Sequence, residues 1–210
     1  MNLKIDLHIH TIFSSDSRLT FEAAISKCQE LGLDGFAVCD HDNLTEIPYG
    51  IGEDNGLVIL SAIEVSARGA HVLAYNIEKP VSPGLSIEDT VRRVHMLNGV
   101  AVLAHPFSIF RSWVNRAEIM RANFDLIEVA NAYQFPYGIM LGLNRKLAEG
   151  LNLPMTGGSD AHKASAFGKA YTVIESETRD SFGVLRALKD GKTRPEGCGV
   201  SFSDRLKLYG

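Results

Sequence analysis

Three cysteines in 210 residues do not make a disulfide framework: Cys28, Cys39 and Cys198 are odd in number and form no C-x-x-C pair. Long apolar runs are also missing. No segment reaches the roughly 20 apolar residues that span a bilayer. The opening Met1-Asn2-Leu3-Lys4-Ile5-Asp6 lacks the apolar stretch of a signal peptide. A membrane partner is therefore not expected, and a reducing cytoplasm is the expected compartment. A net positive charge is missing as well. The formal net charge is −4, so no chain-wide basic field exists to hold nucleic acid non-specifically. With 45% apolar and 22% charged residues, the composition is that of a folded globular protein rather than a disordered one. The length suits a single domain that buries a full core.

Short apolar runs at 3–9, 35–39, 57–65, 71–75, 100–104, 126–130, 153–156 and 170–174 read as buried strands. Helical periodicity lies between many of them. Phe21, Ala24, Ile25, Cys28 and Leu31 follow i, i+3, i+4, i+7 spacing, with Thr20 as the expected N-cap and Gly32 as the stop. Further helices are predicted over 87–97, capped by Ser86, over 139–147, ending near Gly150, and over 181–188, ending near Gly191. Alternating strands and helices predict an α/β fold built on a largely parallel sheet. The stretches 43–56 and 78–86 read as surface loops, and the tail after about residue 195 as irregular.

Polar residues gather where the predicted strands end, and every histidine except His95 lies there or close by. That is where an α/β barrel carries its chemistry. In Asp6-Leu7-His8-Ile9-His10, strand alternation puts His8 and His10 on one side, with Asp6 below them and Leu7 and Ile9 in the other layer. Such a pair holds either a metal ion or ordinary core hydrogen bonds. Asp40-His41-Asp42 closes the second run, and either aspartate is placed to orient His41. Glu64 sits in apolar Ser61-Ala62-Ile63-Glu64-Val65, where a carboxylate is costly unless it is metal-bound or paired, for instance with Arg68. His71, His105-Pro106 and Gly158-Ser159-Asp160-Ala161-His162 complete the pattern. Mixed imidazole and carboxylate donors without thiolate suit Zn, Mn or Fe. More than four candidate ligands imply more than one ion. Clustered ions lower the pKa of water and clamp a phosphoryl group.

These residues, with Thr11 and Ser15-Asp16-Ser17, resemble the PHP (polymerase and histidinol phosphatase) family along almost the whole chain. The resemblance implies one domain over 1–210, a distorted (β/α)7 TIM-like barrel, and two or three divalent ions. His8, His10, Glu64 and Asp160 would hold the first ion. Glu64 would bridge to a second, completed by His71 and His105. Asp16, His41 and His162 would hold the third. The implied activity is metal-dependent hydrolysis of phosphate esters in a small metabolite or nucleotide. A hydroxide between two ions would attack phosphorus, with His41, Glu64 and His162 as the catalytic side chains. Small phosphorylated compounds are the expected partners. A PHP-type protein-tyrosine phosphatase and an inactive metal-binding regulatory module are the alternatives. Arg18 either faces the substrate or solvates its loop, and Arg111 either binds phosphate or lies on the surface.

Overall fold

The computed structural model describes residues 1–107 and 116–201. Nine strands form one sheet: β1 (Asn2–Ile9), β2 (Gly35–His41), β3 (Val58–Ala67), β4 (Ala70–Tyr75), β5 (Val100–Ala104), β6 (Leu126–Asn131), β7 (Met155–Gly158), β8 (Ala170–Glu175) and β9 (Thr193–Gly197). Six helices connect or flank them among the described residues: α1 (Phe21–Glu30), α2 (Ile51–Asp54), α3 (Ile87–Met96), α4 (Arg116–Ala122), α5 (Tyr137–Leu151) and α6 (Ser181–Lys189). The strand order is β7-β6-β5-β4-β3-β2-β1-β8-β9. This is the α/β class that the alternating pattern predicts, but the sheet is mixed rather than largely parallel: four of its eight strand pairings are antiparallel.

The sheet curls into a nearly closed barrel. Past the end of β7, the Asp160 amide donates to the His8 carbonyl at 2.7 Å, and the His10 amide donates to the Ala161 carbonyl at 2.9 Å. Thr172 on β8 links its hydroxyl to both the amide and the carbonyl of Gly157, each at 2.8 Å. The seam between the first and seventh strands is thereby joined through backbone groups that would otherwise be unpaired.

Strand direction decides which residues meet. β1, β2 and β3 are mutually parallel, as are β5, β6 and β7, whereas β4 is antiparallel to both β3 and β5. The beginning of β4 therefore lies beside the ends of its neighbours: His71 pairs with Ser66 of β3 and with Ala104 of β5. A histidine at a strand start thus joins the ligands at the strand ends.

Two apolar layers hold the barrel. The outer one joins Phe36, Val38, Ile63, Val72, Leu103, Ile127 and Val129 to the buried faces of α1 and α3. The inner one fills the barrel with Leu3, Ile5, Leu7, Cys39, Leu60, Leu73, Tyr75 and Val102. Helix α6 adds Val184, Ala187 and Leu188 to the inner layer. It packs where strands begin, at the end opposite the histidines. β1 departs from the predicted alternation. Its register against β2 shifts between Asp6 and Ile9, as at a β-bulge. Asp6 aligns with Phe36 of the outer layer, and Leu7 joins the inner layer. The expectation of Asp6 beneath the histidines is thereby corrected.

Other differences are local. α2 interrupts the predicted 43–56 loop, α4 was not expected, and β9 carries the ladder through Pro195 to Gly197. β9 is an edge strand, where proline is tolerated because one side needs no partner. The helix starts follow the caps: Thr20 accepts from the Ala23 amide at 3.2 Å, and Ser86 from the Asp89 amide at 3.1 Å. Replacing Thr20 by Ala should lower unfolding free energy by about 1 kcal/mol in a urea titration, without altering metal content.

Candidate metal centre

The nine candidate ligands named by the sequence converge at the mouth of the barrel. Glu64 is their hub, 1% exposed. One oxygen, Oε1, lies 2.7 Å from His71 Nδ1 and 2.9 Å from His105 Nε2. The other, Oε2, lies 3.0 Å from His41 Nδ1, 3.3 Å from His10 Nε2 and 3.5 Å from His8 Nε2. The two oxygens therefore face different groups of imidazoles, as a bridging carboxylate must. Ligand atoms of His8, His10 and Glu64 lie within 4.8 Å of one another, as do those of Glu64, His71 and His105, and of His10, His41 and His162. Asp160 Oδ1 stands 3.2 Å from His10 Nε2 and 3.6 Å from His8 Nε2. Asp16 Oδ2 is 3.3 Å from His162 Nε2 and 3.6 Å from His41 Nε2. A further set, His8 with His105 and Asp160, overlaps the first two and was not foreseen.

The donor chemistry fits cations. His162 Nδ1 donates to the Asp160 carbonyl at 2.7 Å, which leaves its Nε2 lone pair facing the centre. His10 Nδ1 donates to Ser14 Oγ at 3.2 Å, and Ser14 in turn donates to Asp40 Oδ1 at 2.7 Å. His10 Nε2 then meets His8 Nε2 at 3.1 Å, two ring nitrogens in contact deep in the protein. Asp160 Oδ1 is buried and accepts no hydrogen bond. Converging lone pairs of this kind are costly unless a shared positive charge lies among them.

Electrostatics points the same way. Burial alone would raise the Glu64 and Asp160 carboxyls, but the facing histidines, His8 foremost, hold both well below the usual carboxylate range. Burial alone would lower His41, yet its bonds to Asp16 and Glu64 push it up to about 10. His8, His105 and His162 are likewise raised against their burial, by Glu128, Glu64 and Asp16 respectively. The acids create a negative well that attracts protons or metal ions.

Several expectations need correction. Neither aspartate beside His41 touches its ring. Asp40 accepts from the Thr11 amide and hydroxyl, from Ser14 and from Thr45. Asp42 accepts from the Ser66 amide at 2.7 Å. Glu64 pairs with imidazoles, while Arg68 is exposed in the β3–β4 turn. His95, on α3 and outside the cluster, is half-buried, its Nε2 3.0 Å from Asp125. Arg18 is exposed on the loop after β1, its amide donating to the His162 carbonyl at 2.9 Å. Arg111 lies outside the described residues. Ser14, which supports both His10 and the His41 amide, was not singled out. Its only signal was its place in the polar run Ser14-Ser15-Asp16-Ser17.

Two outcomes are expected. Glu64→Ala should weaken zinc binding by more than about 100-fold and remove two ions, as read by calorimetry and elemental analysis. Wild-type stoichiometry in that variant would exclude the bridging role. Because the raised imidazoles hold protons that a cation must displace, zinc affinity should climb as pH rises from 6 toward the His41 value of about 10. Protons should be released on loading, and a flat pH profile would contradict this.

Sequence profiles match two parts of the chain: the PHP domain over residues 6–133 and the PHP-associated region over 141–193. An uncharacterised protein of Methanocaldococcus jannaschii is 24% identical over 144 residues, covering 62% of this chain and 83% of that protein. In fold, the chain is similar to a two-domain protein of Bacteroides vulgatus containing a predicted PHP-like metal-dependent phosphoesterase. The TM-score is 0.76 at 18% identity, over 100% of this chain and 69% of that one. It is also similar to the lesion-specific Endonuclease Q of Pyrococcus furiosus, with a TM-score of 0.67 at 18% identity, over 100% of this chain and 66% of that one. Endonuclease Q has also been solved with a 27-mer duplex substrate bearing an abasic lesion at the active site. That finding overturns the expectation of a small phosphorylated substrate with no non-specific nucleic-acid binding. The expectation of a metal-dependent phosphoesterase agrees with the PHP-domain profile and with the Bacteroides vulgatus structure. With the profile covering residues 6–133 and the histidine–carboxylate cluster at the barrel mouth, the chain belongs to the PHP family.

Proposed function

We propose that this protein is a metal-dependent hydrolase of phosphate esters in nucleic acid. The observation that carries the reading is Glu64, buried against five imidazoles with each oxygen facing a different group of them. His8, His10, Glu64 and Asp160 would hold one ion, Glu64 with His71 and His105 a second, and Asp16, His41 and His162 a third. Zinc, manganese and iron suit this donor set. Bound ions would supply Lewis acidity toward phosphoryl oxygens and an activated water.

The chain's own groups then have distinct tasks. Glu64 holds its two sets of ligands at a fixed separation. His162, with its Nδ1 proton engaged by the Asp160 carbonyl, offers Nε2 inward. Asp16 and His41 are more exposed than Glu64, with side chains 43% and 23% accessible, and so mark the side from which a substrate enters. Arg18, exposed on the Asp16 loop, would meet a phosphate there. Phe13 and Phe135 are exposed by 58% and 55% on loops that follow β1 and β6 at the same end. Exposed aromatic rings beside a phosphate site favour bases, because each nucleobase offers a face for stacking. The structural likeness to Endonuclease Q supports the same substrate class.

The test is an activity screen of the purified chain, with zinc and manganese supplied separately. Substrates would be single- and double-stranded oligonucleotides, with and without an abasic site, alongside simple phosphate esters. Metal-dependent strand cleavage that Glu64→Ala abolishes is expected. Hydrolysis of simple esters with no oligonucleotide cleaved under either metal would rule out the nucleic-acid assignment.

A further inference from the structure

Glu128 lies on β6, outside the nine candidate ligands, and is 1% exposed. Its carboxylate meets three donors. Oε1 lies 3.0 Å from His8 Nδ1, while Oε2 accepts from the His105 amide at 3.1 Å and from Asn131 Nδ2 at 3.0 Å. The orientation of the Asn131 amide is fixed independently, because its Oδ1 accepts from the Tyr133 amide at 3.0 Å. Asn131 Nδ2 also reaches Asp160 Oδ2 at 3.3 Å. Gly158 keeps this space open. A Cβ there would collide with His8 and stand 3.0 Å from Glu128 Oε1.

We propose that Glu128 is a positioning residue of the metal centre, whose carboxylate fixes His8 with its proton on Nδ1 and its lone pair on Nε2. The inference rests on the metal-dependent reading above and deepens it. A histidine ligand is held by the bond made at its other nitrogen, and removing that bond typically costs 10–100-fold in affinity. Here the partner must accept on both oxygens. Glutamine has the same shape but fails on either orientation. With its NH₂ toward His8, it would ask Nδ1 to accept and so move the ring proton to Nε2. With its NH₂ toward Oε2's partners, it would face the His105 amide and Asn131 as donor against donor. Asn131 extends the device. By engaging Asp160 Oδ2, it leaves Oδ1 to face His8 and His10. One carboxylate and one amide thus set two of the candidate ligands of the first ion.

Two measurements on the full chain test this. Nitrogen-15 NMR of the zinc-loaded wild type should show His8 protonated at Nδ1 and ligated through Nε2. Ligation through Nδ1 would overturn the proposal, and this measurement needs no variant to fold. Cobalt(II) titration should then show Glu128→Gln binding about 10–100-fold more weakly than wild type, with altered d–d absorption bands, while far-UV circular dichroism is unchanged. Wild-type affinity and spectrum in Glu128→Gln would refute the assignment. A wild-type protein that takes up neither zinc nor cobalt would instead bring down the metal-dependent reading itself, and this inference with it.

Discussion

Everything at the mouth of this barrel depends on placing a carboxylate where water cannot reach it. Glu64 is inside the protein, and an isolated charge there would be prohibitively expensive. Imidazoles from four other strand ends, within 2.7–3.5 Å, compensate the charge. The compensation is incomplete by design of the donors. Lone pairs of Asp160 Oδ1 and His162 Nε2 are still directed inward without a hydrogen bond. A divalent cation resolves that excess, whereas protons on the rings resolve it only in part. The same imbalance raises His8, His41, His105 and His162 and depresses Asp16, Glu64 and Asp160, so geometry and charge have one cause.

The barrel makes this arrangement possible by holding strand ends in register. Parallel neighbours deliver His8, His10, His41, Glu64, His105 and Asp160 to one end, and the reversed strand β4 delivers His71 from its start. Around them lies a layer of buried polar groups bonded to one another and to the backbone. Asp40 collects Thr11, Ser14 and Thr45, and through Ser14 it supports His10. Asp6 accepts from the amides of His8, Ser159 and Gly168 and so ties β1 to the loop after β7. Burial raises the Asp6 carboxyl to about 6, partly offset by these bonds from Ser159, Gly168 and His8.

Much of this was legible in the sequence because its signals are local. Apolar runs mark buried strands whatever their neighbours, and Thr20 and Ser86 mark helix starts by short-range bonds. The ligands could be picked out because polar side chains in such runs have few bland explanations. What was not legible depends on pairing. Nothing within residues 70–75 reveals that β4 runs backwards. The bulge in β1 places Asp6 and Leu7 opposite to their simple alternation, and only the register against β2 reveals it. Asp40 and Asp42 flank His41 in sequence, yet Asp40 accepts from Thr11, Ser14 and Thr45 and Asp42 from the Ser66 amide, partners that only the fold brings near. Glu128 and Asn131 were visible as polar residues at a strand end, but their partners come from three other segments. The proposed substrate class lies further still from the residues: net charge describes the whole surface, whereas a nucleic-acid strand at this site would meet only the mouth.

Anomalous X-ray diffraction from crystals grown with zinc tests the central claim most directly. Data on either side of the zinc absorption edge should show peaks on both sides of the Glu64 carboxylate, each roughly 2.0–2.2 Å from one of its oxygens. His8 and His10 should flank one peak, and His71 and His105 the other. A zinc-saturated crystal with a well-ordered Glu64 and no anomalous peak beside it would contradict the account.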